Sequence, residues 1–292
     1  QINTKRLKEI DLKNVSAICV PNLVGNIANW KEIYSFSKEN NLKIIEDSAD
    51  TIGYSYETSL KNWSDVSTTS FYASHVITGA GFGGMACFSD ESNYELALSL
   101  RGWGRRSSLY SDSEDYKRRF NAKIDGINYD DKYIFDDIAY NFLPSEISAA
   151  FALEQLKKLS KNLKKRNNNF TNLKNFFSNF PKFFELPVQQ KGLTTAWLAY
   201  PIIIKDKSKL NRQKLQIFLE KKGIQTRTIF TGNILRQPIM KKRSYKKVKN
   251  AELNSNNIMS NGLLIGCHHG LNDKDLDYIK KTFSLFMKEH VI

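Results

Sequence analysis

The chain has 292 residues, 41% of them hydrophobic and 25% charged, with 6 Pro, 15 Gly and 3 Cys. This composition excludes a disordered chain, a collagen-like repeat and a disulfide-stapled miniprotein, and is enough for one large or two medium α/β domains. The formal net charge of +14 concentrates in Lys157–Arg166 (KKLSKNLKKR) and Met240–Lys249 (MKKRSYKKVK). Neither run comes with a helix-turn-helix, an RNP-type motif or a zinc finger, so both read as solvated faces rather than a nucleic-acid footprint. The same charge suits an acidic small molecule such as a nucleotide sugar. No apolar run approaches the ~18 residues that would span a bilayer. Gln1–Asn14 is polar and basic, so neither a membrane role nor a secretory signal is expected. Cys19, Cys87 and Cys267 are far apart, which suits a reducing cytoplasm and small buried hydrophobes in strands. No metal site is expected.

In chain order, Val15–Val20 reads as a buried strand closed by Pro21 and a Gly25–Asn26 turn. Trp30, Ile33, Tyr34 and Ser37 follow helical spacing, and Leu42–Ile45 is a second strand ending in Glu46–Asp47. Thr68–Tyr72 and Met85–Phe88 are further strands around the glycine-rich Thr78–Gly84, and Asn93–Leu100 is helical. This alternation predicts a mainly parallel sheet covered by helices, with ligands at the carboxyl ends of its strands. Gly104–Asp131 lacks periodicity and reads as a long surface excursion. From Pro144 one helix is predicted to run to about Phe180. Beyond it the spacing predicts strand Ala196–Ile204, helix Asn211–Lys222, strands Ile224–Phe230 and Leu263–Cys267, and a final helix Asp273–His290 with Asp273 as early acid or cap. The expected division is 1–155 as a partial large domain and 156–292 as linking helix and small α+β domain.

Two segments carry residues suited to chemistry. IIEDSAD (Ile44–Asp50) places carboxylates at the end of a buried strand, facing either a cation or a cap. SFYASHVITGAGFGG (Ser70–Gly84) sets a Ser at a strand end, His75 five residues later and then four glycines. That pattern lets backbone approach something closely, beside a side chain suited to proton transfer near neutral pH.

Together with these, RGWGR, AYNFLPSEISAAFALEQLKKL and TRTIFTGNILRQP resemble the DegT-type sugar aminotransferases, a family of fold-type-I pyridoxal-phosphate proteins. The resemblance runs from about Val15 to the C-terminus. It implies an α/β fold with a mostly parallel sheet and a smaller C-terminal α+β domain. Aminotransferases of the family carry a lysine at the end of SFYxSK that holds the cofactor. Here His75 stands there, as in the branch that dehydrates C3 of nucleotide-linked 4-keto-6-deoxyhexoses in deoxysugar and polysaccharide biosynthesis. Imidazole forms no stable imine, so the implied cofactor is pyridoxal phosphate used in its pyridoxamine form, with His75 as the catalytic base and L-glutamate as amino donor. The resemblance assigns Asp47 to the ring nitrogen, Asp50 to the region of the ring hydroxyl, Ser70 to the cofactor phosphate and Asn141 to the phosphate of a neighbouring subunit. It thereby implies a homodimer. Arg101, Arg105 and Arg236 are candidate clamps for substrate phosphates, and His268, followed by His269, for a substrate-side turn.

Some relatives place iron–sulfur cysteines after the RGWGR-like segment. Here the segment reads RRSSLYSDSEDYKRRF, without cysteine, so no cluster is expected. The family's further N-terminal segment of roughly a hundred residues is not seen before Val15, so this chain is expected to be a partial sequence. An aminotransferase and a non-catalytic relative are the alternatives.

Overall fold

The computed structural model describes residues 1–56, 63–205 and 210–290. The first half contains β1 (Ala17–Pro21), α1 (Trp30–Glu39), β2 (Lys43–Asp47), β3 (Ser55–Tyr56), β4 (Val66–Ser70), β5 (Gly84–Phe88) and α2 (Glu91–Arg101). Next come α3 (Tyr116–Arg119), β6 (Ala122–Ile124), β7 (Ile127–Tyr129), α4 (Glu146–Lys157) and α5 (Leu159–Phe177). The remainder holds β8 (Phe184–Glu185), β9 (Leu193–Thr194), β10 (Tyr200–Ile204), α6 (Arg212–Lys221), β11 (Thr226–Arg227), α7 (Leu253–Asn261), β12 (Gly262–Ile265) and α8 (Asp273–His290).

The first sheet has the order β1-β2-β4-β5. Its first two pairings are parallel, with Pro21 opposite Asp47 and Asp47 opposite Thr68. α1 closes the first crossover. Asn29 caps it by accepting the Glu32 N–H, and Trp30, Ile33 and Ser37, at helical spacing, form its buried face. That face packs on Val20 and Ile44 together with Leu7, Ile27 and Leu193. β5 instead runs antiparallel to β4. The chain between them, Phe71–Gly83, contains no helix to carry a crossover, so it folds straight back.

The second sheet, β11-β12-β10-β8, is antiparallel throughout. It carries the larger core. Phe170, Leu173 and Phe177 of α5, Leu215 and Leu219 of α6 and Leu276, Ile279, Phe283 and Phe286 of α8 pack on Tyr200, Ile202, Ile204, Leu263 and Ile265. α8 spans the predicted range, but its cap is Asn272, whose Oδ1 accepts the Lys274 and Asp275 N–H groups. The short β3–β9 pair ties the first half to the chain beyond α5.

Several expectations are corrected. The single long helix is two, because Lys158 closes a tight turn onto the Gln155 carbonyl at ψ −7°. The excursion from Gly104 lies at the surface as expected and carries α3 and the β6–β7 hairpin. Only Cys267 is buried, whereas Cys19 and Cys87 lie exposed in β1 and β5. The basic run ending at Arg166 is not wholly a solvated face either, since Arg166 is 3% exposed. No helix of the described residues is long and apolar enough to cross a membrane.

Candidate active site

β2 ends on Asp47, whose Oδ1 accepts the Ala49 N–H at 3.0 Å. The turn it makes brings Asp50 back beneath the strand end, where it is buried. Asp50 Oδ2 accepts the Val24 N–H at 2.7 Å, and its Oδ1 lies 3.9 Å from His75 Nδ1. Burial raises the Asp50 carboxyl above the ordinary carboxylate range, against the Val24 bond and the nearby imidazole.

His75 follows β4 on a compact turn in which its N–H bonds the Tyr72 carbonyl. Val76 and Ile77 anchor the turn in the interior. Gly79 is required there, since a Cβ would stand 2.3 Å from the Phe82 carbonyl oxygen. His75 Nδ1 is buried and has no hydrogen-bond partner among the described residues. Burial lowers the imidazole pKa, while Asp50 and Asp47 pull it up. Ser70 makes a local bond, its Oγ accepting the Tyr72 N–H at 3.2 Å. Asp47, Asp50, Ser70 and His75 therefore gather at the ends of adjacent strands, with the imidazole beside the Asp50 carboxylate.

The remaining candidates form other groups. Gly102 bridges Asn141, and the Arg101 carbonyl accepts the Phe142 N–H at 2.9 Å, so Arg101, Arg105 and Asn141 share one corner. Arg101 and Asn141 are exposed there. The Arg105 guanidinium lies 4.4 Å from the Trp103 ring, with Tyr133 and Phe135 around it, and its buried Nε has no hydrogen-bond partner among the described residues. Arg236 Nε bonds Asn256 Oδ1. The His268 carbonyl accepts from Asn169 Nδ2 at 2.8 Å, and partial burial, then the Arg166 charge, lowers the His268 and His269 imidazoles. Among the described residues, no hydrogen bond or ion pair joins Arg236 or His268 to the His75 group.

Two features escaped sequence reasoning. Glu46 is 4% exposed, and its Oε1 accepts from Asn22 Nδ2, Ser48 Oγ and Tyr54 OH at 2.6–2.9 Å. It adjoins a cavity of about 200 Å³ on the sheet face opposite Asp47. Its neighbour Asp47 in EDSAD looked equally chemical, and strand alternation puts the two carboxylates on opposite faces of the sheet. The other is Arg166, whose Nη1 donates to the Trp197 and Leu198 carbonyls at 3.1 and 3.2 Å. A lysine-rich run concealed it.

The architecture is that of fold-type-I pyridoxal-phosphate enzymes. The solved Escherichia coli GDP-4-keto-6-deoxy-D-mannose-3-dehydratase with bound hydrated PLP matches at a TM-score of 0.82 and 27% identity, over 96% of this chain and 70% of that one. The model of the DegT/DnrJ/EryC1/StrS aminotransferase family matches residues 1–284, and the chain belongs to that family. It is 31% identical over 275 residues to the lipopolysaccharide biosynthesis protein RfbH of Salmonella typhimurium, covering 92% of this chain. It is 30% identical over 286 residues to the dTDP-4-dehydro-2,6-dideoxy-D-glucose 3-dehydratase of Saccharopolyspora spinosa, covering 97%. The chain spans 62% and 61% of the length of these two curated relatives.

Proposed function

We propose that the protein acts in dehydration at C3 of a nucleotide-linked 4-keto-6-deoxyhexose, with pyridoxamine/pyridoxal phosphate as cofactor and L-glutamate as amino donor. The observation that carries this is His75, an imidazole whose buried Nδ1 faces Asp50 and makes no hydrogen bond among the described residues, at the position where the family's aminotransferases hold a lysine.

The residues fit the cofactor. Asp47 offers its carboxylate to a protonated ring nitrogen, Asp50 lies beside the imidazole, and Ser70 and, across a homodimer, Asn141 provide polar groups for the phosphate. When bound, the cofactor supplies an amine that condenses with a ketone and a ring that takes up electrons. Asp47 keeps the proton on the ring nitrogen by its charge. His75 moves protons at the reacting carbon, and its neutral form, favoured by burial, is the one able to accept them. Arg101, Arg105 and Arg236 serve the diphosphate, with His268 on the sugar side. We assign 1–155 to the cofactor-side domain and 156–292 to the C-terminal one, in keeping with the helix break at Lys158, and place the reaction in the cytoplasm.

His75→Lys tests the reading. The variant is expected to lose dehydration, read as loss of the 3-hydroxyl by mass spectrometry, and to gain amino transfer to the 4-keto sugar. Continued dehydration by His75→Lys would end the assignment.

A further inference from the structure

The bond from Val24 to Asp50 is one end of a longer connection. Val24 has φ 60° and ψ 17°, a left-handed conformation uncommon for a β-branched residue. The conformation lets one residue face two ways. Its N–H donates to Asp50 Oδ2, and its carbonyl accepts the Leu198 N–H at 3.0 Å. Gly25 follows at φ 80°, packed so closely that a Cβ would lie 2.9 Å from the Leu198 nitrogen and the Trp197 Cα. Its carbonyl accepts from Thr195 Oγ1 at 2.6 Å, and that hydroxyl lies 3.1 Å from Thr51 Oγ1. Thr51 and Thr195 are at most 1% exposed. The Val24 side chain packs with Ile229 and Leu264 beside the second sheet. Beyond Leu198, Arg166 grips the Trp197 and Leu198 carbonyls from α5. A hydrogen-bonded path thus runs from the C-terminal core to the carboxylate beside His75.

We propose that Val24 and Gly25 are positioning residues for His75. The Val24 amide fixes the Asp50 carboxylate that faces the imidazole, and Trp197–Leu198 fixes Val24, so the seat of the C-terminal sheet sets how firmly His75 holds its proton. The inference rests on the reading of His75 as the proton-transfer group. The groups facing His75 are the Asp50 and Asp47 carboxylates and the Tyr72 ring, 6.2 Å away. An amide N–H on Asp50 favours its charged form, which favours a protonated imidazole, whereas burial opposes both. Displacing Val24 withdraws that support. Any admission of water would act in the opposite sense and would not require Asp50.

The two effects separate in a cycle of variants of the full chain, in which the His75 imidazole is titrated by NMR without cofactor. Asp50→Asn is expected to lower the His75 pKa by about 0.5 unit or more, roughly threefold in its acid constant. Gly25→Ala should lower it by about half of that shift or more, and Gly25→Ala combined with Asp50→Asn should match Asp50→Asn alone. A Gly25→Ala titration identical to the wild type, or a shift that persists undiminished in the Asp50→Asn background, would overturn the proposal. Should Gly25→Ala fail to fold by circular dichroism, Thr195→Val, which removes the hydroxyl holding the Gly25 carbonyl, is judged by the same comparisons. The titration is independent of turnover, so its failure leaves the role of His75 in dehydration intact. Failure of the His75→Lys test would leave the titration readable.

Discussion

Burial and charge pull the His75 imidazole in opposite directions, and burial prevails. Its neutral form therefore persists below the ordinary histidine value of about 6.5. If His75 is the base, the acid limb of kcat/KM against pH falls below that value. Asp50→Asn removes a charge that raises the imidazole, so its acid limb should move to still lower pH, as a pH–rate series would record. The linkage to stability has a definite sign. A lowered folded pKa makes the neutral histidine a contribution that is fully present above the unfolded value and declines as pH falls toward the folded one. Asp50, with its raised pKa, contributes on the acid side and loses that contribution as pH rises through its folded value.

At the scale of elements, the excursion after α2 is held by charge. Arg106 pairs with Asp136 at 2.7 Å and Arg118 with Asp112 at 2.8 Å, and Arg119–Asp130 and Lys132–Glu114 complete the set. Arg106–Asp136 and Arg118–Asp112 lie near solvent, so each contributes little and is screened by salt, while Arg119–Asp130 is half-buried. Asp130 also caps the turn after β7 by accepting the Lys132 N–H. Asp130→Ala should speed proteolytic nicking within 106–136 while hardly moving the melting temperature, and salt should narrow its difference from wild type. Limited proteolysis at two ionic strengths checks this. The sequence displayed this region's charge but not its pairing, since no periodicity marks a four-residue helix or a three-residue hairpin strand. By contrast α1, β2 and α8 were legible because a buried face repeats at helical spacing or an apolar run ends at a polar turn. The direction of β5 was hidden because it depends on how the glycine turn closes. The carboxylates and the imidazole could be read as chemical residues, but the Val24 amide on Asp50 could not, because a backbone donor has no residue type.

For the whole molecule, α4 and the chain before it expose many apolar side chains. No residue of α4 is buried, and Ile147 is 79% exposed, Leu153 60% and Phe142 69%. Asn141 lies in the same stretch. If the protein is the homodimer proposed above, these side chains are the ones its interface would cover. Phe151→Asp combined with Leu153→Asp is expected to shift the protein to monomer by light scattering. An unchanged mass would remove this face from the interface.

The unequal burial of the three cysteines makes the molecule its own reporter. Cys19 and Cys87 stand open in the first sheet, and Cys267 lies fully buried beyond β12, its thiol pushed up to about 12 by burial. A thiol reagent should therefore find two sites in the native protein, with Cys19 slowed because partial desolvation and the Asp47 charge raise its pKa. The third should react only when the C-terminal core opens. The delay before that third reaction is a clock for the opening of the C-terminal core around Cys267.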